Sequence, residues 1–290
     1  MSTIICPVCS QALKRTEKQF CCENNHQFDI AKQGYVNLLQ PQHKKSKQPG
    51  DNQEMVDARF RFLNEGYYEP LSDKLNQLIA ADYSSRSPSN DTYHVVDAGS
   101  GEGYYTQRLY DHLSQLDSLH IPKHLPPKII GFDISQRAVK ASCRRSKSIQ
   151  WMTATSSHIP VASHSQDAVL CLFSRIVPEE FSRILKQEGI LYVASTGSSH
   201  LIELRNMLYQ NVKQTAYNPD STLCELFTPL DESLNANVRY KIEVNSLQAI
   251  NDLLLMTPHY WRATESAKQA IQSMDSISVS VDIRLTGYRL

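Results

Sequence analysis

Four residues near the start of the chain constrain it most. Cys6-Pro7-Val8-Cys9 is followed, after a gap of about a dozen residues, by Cys22 and His26. The pattern is C-x2-C, then C-x3-H. Four soft ligands at that spacing can close a tetrahedron around zinc. Cys6, Cys9, Cys22 and His26 are therefore predicted to hold one structural zinc. Cys21 stands beside Cys22 and offers an alternative thiol, although Cys22 keeps the cleaner register with His26. No open coordination position is suggested, so the metal is read as structural, not catalytic. Ile4 and Ile5 lead into the first pair and Phe20 into the second, which predicts a small β-ribbon. A module this short cannot bury much core of its own, and a metal would stabilise it.

The chain has 290 residues, enough for one ordinary domain behind a small one. Its formal net charge is zero, but the charge is unevenly placed. Lys14, Arg15, Lys18, Lys32, Lys44, Lys45 and Lys47 crowd the first fifty residues, and Lys140, Arg144, Arg145 and Lys147 make a second cluster. Such patches suit a phosphate-rich partner; solvated surface is the competing explanation for either alone. No apolar run is long enough to span a bilayer, and no signal peptide is recognisable, so no membrane partner is expected. Seven cysteines without a disulfide-like framework fit a reducing compartment, and a cytoplasmic location is expected.

Three divisions are expected: a zinc-binding head over 1–40, a basic Pro/Gly-punctuated linker over 41–53, and a main domain over 54–290. Met55, Ala58 and Phe62 recur at helical spacing up to Gly66. Pro70 suits the first turn of a second helix, with Leu71, Leu75, Leu78 and Ile79 on its apolar face. Ser84–Thr92 reads as a loop. Beyond it the period changes. His94–Asp97, Lys128–Asp133, Asp167–Phe173 and Gly189–Ala194 read as buried strands, and Tyr105–Leu116, Ser135–Arg145 and Pro178–Lys186 as helices between them. Asp117–Lys128 reads as an irregular loop. Strands alternating with helices predict an α/β fold, a Rossmann-like, mostly parallel sheet. Val279, Val281, Ile283 and Leu285 alternate with polar residues, which predicts an antiparallel strand at an edge.

The glycine loop Asp97-Ala98-Gly99-Ser100-Gly101-Glu102-Gly103-Tyr104 follows a strand and opens a helix. There a backbone can approach a ligand closely and helix amides face it. Its form is D-x-G-x-G-x-G. The third glycine comes one residue earlier than in the dinucleotide fingerprint, and the acidic Asp97 suits a cationic ligand better than a pyrophosphate. S-adenosylmethionine carries a sulfonium and an amino group and no phosphate. Asp133 ends the next strand, where a carboxylate can bind ribose hydroxyls, although it lies farther on than the usual ~20 residues. These features predict a class I methyltransferase sheet rather than a dehydrogenase.

With the head, the stretch His26–Leu39, the elements His43-Lys44, Pro49-Gly50-Asp51 and Glu54-Met55, then Arg59, Phe62-Leu63, Gly66-Tyr67-Tyr68, Asp97–Tyr105, and Met256-Thr257-Pro258 with Trp261, the chain resembles the RlmA family of 23S ribosomal RNA guanine-N1 methyltransferases. The resemblance implies Cys6, Cys9, Cys22 and His26 as zinc ligands, with Asp97, Gly99, Ser100, Gly101, Glu102, Gly103 and Tyr104 along the cofactor and Asp133 on its ribose. It also brings Tyr68 and His200 near the cofactor; the residues alone suggest a core aromatic and a surface histidine. It implies a homodimer whose zinc heads help to shape a cleft for an RNA hairpin. Two departures stand out: Phe173-Ser174-Arg175 where Phe-Ser-Pro is common, and Lys186-Gln187-Glu188-Gly189 where Lys-Pro-Gly-Gly is usual.

The reaction expected is transfer of a methyl group from S-adenosylmethionine to guanine N1 in a loop of 23S rRNA. N1 lies on the Watson–Crick edge, so the base must be unpaired or flipped out. Its proton must leave, and no residue stands out as the acceptor. Arg175 could orient the base or a phosphate. The alternatives are a methyltransferase for a small molecule or another RNA, and an RNA-binding protein without activity.

Overall fold

A computed structural model of the chain describes residues 3–44, 46–86, 92–119, 125–212 and 215–290. The head is a three-stranded antiparallel ribbon, β1 (Lys14–Arg15), β2 (Gln19–Cys21) and β3 (Gln27–Asp29), with β2 in the middle. Two tight loops flank it. The Ser10 N–H donates to the Cys6 carbonyl at 2.8 Å and the Asn25 N–H to the Cys22 carbonyl at 3.0 Å. Ser10 and Asn25 take left-handed backbone, φ 60° and 61°. Short polar side chains tolerate that region.

After β4 (Val36–Asn37) come two helices, α1 (Gln53–Asn64) and α2 (Glu69–Ser85). The Asn52 side chain accepts from the Met55 N–H at 2.9 Å and so caps α1. Val56, Ala58, Phe62 and Leu63 form its buried face. Pro70 occupies the first turn of α2, where its missing N–H costs nothing.

The alternating pattern then appears as β5 (Thr92–Ala98), α3 (Tyr104–Leu119), β6 (Leu125–Asp133), α4 (Gln136–Arg145), β7 (Gln150–Thr153), β8 (Gln166–Leu172), α5 (Pro178–Ile184) and β9 (Leu185–Thr196). Next are α6 (Ile202–Leu208), α7 (Asp220–Leu223), β10 (Thr228–Pro229), β11 (Ala236–Val244), α8 (Leu247–Leu255), α9 (Glu265–Gln272) and β12 (Ile277–Arg289). Among the described residues, nine strands make one sheet in the order β10-β12-β9-β8-β5-β6-β7-β4, with β11 also on β12. The strands from β9 to β4 along that order are parallel, and β12 is antiparallel to β9, β10 and β11. Helices cover both faces, so a central strand such as β8 is buried at every residue.

The expected α/β class and mostly parallel sheet are present, with three differences in detail. The antiparallel strand β12 is not an edge: β11 and β10 lie beyond it. Its alternation reflects partial cover on one face, and β11, whose burial alternates over most of its length, carries the rim. The expected loop over 117–128 is shorter, since α3 runs to Leu119 and β6 starts at Leu125; the remainder lies outside the described residues. Of the loop expected at 84–92, the ends fall in α2 and β5, and 87–91 likewise lie outside.

The head does not stand apart. Val36 and Asn37 pair in parallel with Met152 and Thr153 of β7, and Ile4 bridges Val161. Ile4, Cys6, Leu13, Phe20, Cys22 and Val36 share one buried cluster with Ile130, Phe132, Met152, Val161 and Val169. Residues 36–37, which the expected 1–40 boundary puts in the head, thus form a strand of the main sheet. The head's small apolar face is covered by the larger domain, which is how so short a module avoids leaving it in water.

Candidate functional site

The order of the sheet reverses at β5, whose neighbours are β6 and β8. A crevice at the carboxyl ends of strands is expected at such a switch point. A cavity of about 930 Å³ opens there, lined by the turn after β5, the ends of β6, β8 and β9, and residues of the 50–68, 196–222 and 256–259 segments. It lies beside the glycine loop predicted as the cofactor site.

The loop is shaped by its backbone. Gly99 and Gly101 have φ of +84° and +57°. A Cβ on Gly99 would lie 2.4 Å from the Ser174 Cβ, so only glycine fits there. The Gly101 N–H donates to Asp133 Oδ2 at 3.1 Å and the Ser135 N–H to Asp133 Oδ1 at 2.7 Å. Asp133 therefore ties the turns after β5 and β6 together at the cavity wall. Burial raises its pKa, against these amide bonds, which lower it. Gly103 does not line the cavity. A Cβ there would lie 2.8 Å from Trp151, so this glycine permits close packing of helix on strand.

Asp97 is 1 % exposed. Thr106 Oγ1 donates to its Oδ2 at 2.6 Å, while Oδ1 has no partner among the described residues. Burial pushes its pKa up to about 7, with the nearby Asp133 charge adding to the rise. The Ser100 hydroxyl and the Tyr104 phenol are also buried without partners among the described residues. Unsatisfied buried polar atoms are rare and call for an explanation. A ligand bearing a cation for Asp97 and polar groups for the loop would supply one, and S-adenosylmethionine has that chemistry. Glu102 is different. Its carboxylate is engaged by the buried Arg145, whose guanidinium stacks over Phe60 at 4.2 Å. Burial raises the Glu102 pKa, and Arg145 opposes the rise. Glu102 thus lines the cavity while its carboxylate braces the loop against Arg145.

Tyr68 and His200 meet at the cavity, ring centroids 6.4 Å apart and nearly perpendicular. The His200 Nδ1 accepts the Asp282 N–H at 3.3 Å. Burial takes its pKa down to about 4, so the neutral ring carries its proton on Nε2 at pH 7. Burial also raises the Tyr68 pKa far beyond its usual range. Arg59 and Asp51 enter the same cavity as an ion pair, and the Arg59 Nη2 also donates to the Met256 carbonyl at 3.2 Å. Neither was singled out as a site residue from the sequence. Only the fold brings position 51, position 59 and position 256 together.

On the ribbon, the ligand atoms of Cys6, Cys9, Cys22 and His26 all lie within 4.8 Å of one another. Cys9 Sγ and Cys22 Sγ are 3.6 Å apart, and His26 Nδ1 is 3.6 Å from Cys6 Sγ and 3.4 Å from Cys22 Sγ. A tetrahedron with Zn–S bonds of about 2.3 Å has S···S edges of about 3.8 Å. The donor set therefore fits zinc, through the histidine's Nδ1. The Gln11 N–H is the chief cause that draws the Cys9 thiol down to about 6, towards the thiolate a metal needs, while burial pushes Cys6 up. Cys21 is not in the cluster.

Residues 4–47 match the family described as RlmA, N-terminal, and residues 72–191 match a methyltransferase domain. YxjB of Bacillus subtilis strain 168, named as a 23S rRNA (guanine-N1)-methyltransferase, is 29% identical over 283 residues, covering 96% of this chain and 94% of its own. The 23S rRNA (guanine(748)-N1)-methyltransferase of Streptomyces fradiae is 28% identical over 257 residues, covering 88% and 85%.

The chain joins a zinc ribbon of the RlmA type to a methyltransferase domain.

Among solved structures, a methyltransferase from Bacillus halodurans C-125 aligns at a TM-score of 0.47 and 12% identity, over 75% of this chain and 98% of its own. As a methyltransferase the chain uses S-adenosylmethionine, and the ribbon carries the one zinc cluster found among the described residues. None of its described helices is long and apolar enough to cross a membrane.

Proposed function

We propose that this chain methylates N1 of a guanine in a hairpin loop of 23S rRNA. The reading is carried by one observation: relatives named for that reaction align with both parts of the chain, the zinc ribbon and the methyltransferase domain, over nearly its whole length. Asp97, with its spare buried oxygen, holds the cofactor's amino group, and Asp133 holds its ribose. Gly99, Ser100, Gly101 and Tyr104 line the pocket between them, Glu102 and Gly103 fix the loop's shape, and Tyr68 and His200 close its far side. When bound, S-adenosylmethionine supplies an electrophilic methyl group, which guanine N1 takes as it loses its proton. The neutral His200 is a donor towards the cavity, so it orients a ligand and does not collect that proton. Cys6, Cys9, Cys22 and His26 hold zinc and keep the ribbon in shape. Residues 1–40 act in RNA recognition, 41–53 as a basic connection, and 54–290 in cofactor binding and methyl transfer. The enzyme works in the cytoplasm as a homodimer, with paired heads forming a cleft for the hairpin.

The test incubates the purified chain with S-adenosylmethionine and 23S rRNA fragments and reads reverse-transcription stops, since a methyl on N1 blocks the pairing edge. A new stop at a single loop guanine is expected. Methylation of a small molecule alone, with no stop on any fragment, would reject the reading.

A further inference from the structure

Phe173 leaves β8 in the left-handed region, φ +58°, which is a genuine outlier for a bulky side chain. It is also 48% exposed, and it lines the cavity. A strained backbone that holds a large apolar ring towards solvent contributes nothing to the core. Such outliers persist where the surroundings impose them, and they mark candidate functional positions. Here the surroundings do impose it. The Ser174 hydroxyl donates to the Ala98 carbonyl at 2.5 Å, and Ser174 fills the space left open by Gly99. The ring of Tyr105 lies 6.3 Å away and supports one side. Phe173 is thus clamped, through Ser174, to the glycine turn after β5.

Tyr217 is a second exposed aromatic on the same cavity, 52% exposed. Its N–H donates to the carbonyl of Thr196, the last residue of β9, at 3.1 Å. β8 and β9 are paired neighbours, with Leu172 opposite Ala194. The chain at Tyr217 is thus tied to the end of β9, beside the end of β8 from which Phe173 leaves, strands in a sheet lying about 4.8 Å apart. Arg175, exposed on the same rim, has no side-chain hydrogen bond or ion pair among the described residues. Two flat apolar faces and a cation beside a methyl-donor pocket match an unstacked nucleotide: the rings take the base, and the cation takes a phosphate.

We propose that Phe173 and Tyr217 form an aromatic clamp that holds the flipped guanine by its faces, with Arg175 on its phosphate. The proposal rests on the guanine-N1 reading above and names the part of the site that takes the base. Phe173 is the inner jaw, because its neighbour Ser174 touches Gly99. A base stacked on it reaches the cofactor pocket by its edge, where N1 lies.

The test compares two RNAs: a hairpin that the wild-type enzyme methylates, and the same hairpin with an abasic site at the methylated position. Wild type should bind the intact hairpin more tightly by about 5- to 150-fold, the stacking of one base. Phe173→Leu keeps the bulk but removes the flat face, and should bring the two affinities together. Phe173→Trp should keep the preference. Phe173→Gly releases the left-handed backbone, so it should fold at least as well as wild type while losing the preference, which guards against an unfolded leucine variant. Tyr217→Leu should lower the preference too. Calorimetric affinity for S-adenosylmethionine should stay within about twofold in all of them. A wild-type preference retained in both Phe173→Leu and Phe173→Gly would overturn the clamp and leave the methylation reading standing. Failure of wild type to methylate any hairpin would overturn that reading, and the clamp with it.

Discussion

The zinc head and the cofactor cavity solve opposite problems. The head gathers four ligand atoms within 4.8 Å from residues 6 to 26, and a metal would satisfy all of them at once. The cavity gathers side chains from position 51 to position 259 and leaves Asp97 Oδ1, the Ser100 hydroxyl and the Tyr104 phenol buried without partners among the described residues. One site stabilises the fold when filled. The other keeps a cost in the empty protein and releases it on binding. Stability and function are thus separated in space, although the two regions share a buried cluster from Ile4 and Phe20 to Ile130 and Met152.

The sharpest way to break this contrast is to remove the metal. Metal binding to such sites is folding free energy, apparent values in zinc peptides being about 10–16 kcal/mol. Cys9→Ser, or strong chelation, should unfold the ribbon. A self-contained head would leave the remainder untouched. Here Ile4, Leu13 and Val36 would leave a core shared with β6 and β7, so the melting temperature of the whole protein should fall as well. Metal analysis together with calorimetric melting checks both parts. No zinc in protein purified without chelator, or an unchanged main transition after its loss, would break the comparison on the side of the head.

Asp97 tests the other side. Its pKa rises from 3.8 to about 7 by burial, so between those values the folded chain holds a proton the unfolded chain has lost. Stability of the empty protein therefore falls as pH climbs through that window, by a few kcal/mol at most. Asp97→Asn should raise the melting temperature of the empty protein clearly at pH 8 and little at pH 4. The same change should weaken S-adenosylmethionine binding by about 2–4 kcal/mol, since a buried ammonium group would lose its counter-charge. Wild-type affinity should improve from pH 6 to pH 8 as Asp97 ionises. An asparagine variant no more stable at pH 8 would mean that the buried oxygen carries no cost.

Asp133 sharpens the picture by dividing one carboxylate between two tasks. Asp133→Ala should lower cofactor affinity by about 1–3 kcal/mol, because the ribose hydroxyls would no longer have a charged acceptor. Because Gly101 and Ser135 donate to it, the variant should also loosen the glycine loop. Asp133→Asn keeps one acceptor oxygen and presents an NH2 to the other amide, so with its oxygen on the Gly101 amide it should recover part of the loop's order but not the full affinity. Hydrogen exchange at the Gly101 amide separates the two effects, and identical exchange in both variants would refute the loop role.

What could be read beforehand followed the same division. The zinc set is legible because its ligands are near in sequence and their spacing reflects the geometry of a turn. Asp97, Gly99 and Asp133 are legible because a strand, a glycine turn and a following helix are also local. Tyr68 and His200 offered no local signal beyond the resemblance, being an aromatic in a helical region and a histidine after a strand. Asp51, Arg59 and Met256 meet only once the sheet is closed. The strand pattern of β11 is as legible as that of β12, since Ala236, Val238, Tyr240, Ile242 and Val244 alternate with polar residues, yet it does not figure among the strands expected above. The antiparallel β12 was legible as a strand but misplaced at the edge, since period alone does not count neighbours.

The smallest expected effect tests whether the connection between the two regions is more than a tether. Lys44 and Lys47 are exposed and, among the described residues, form no ion pair. Gly50 and Asp51, a few residues on, already line the cavity, so this segment runs from the head to the methyl-transfer site. A strand of RNA lying between head and cavity would pass along it. Neutralising Lys44, Lys45 and Lys47 together should weaken hairpin binding by several-fold and flatten its salt dependence by about 0.7–0.9 in log–log slope for each phosphate left without its lysine. Cofactor affinity should not change, because Asp97 and Asp133 are held by other elements. Such charges act through screened water, so their contribution should fade as salt rises, unlike that of the buried zinc ligands and carboxylates. Equal slopes for wild type and the triple variant would make the lysines plain solvated surface, and the RNA phosphates would then have to be held by Lys14, Arg15 and Lys18 on the ribbon.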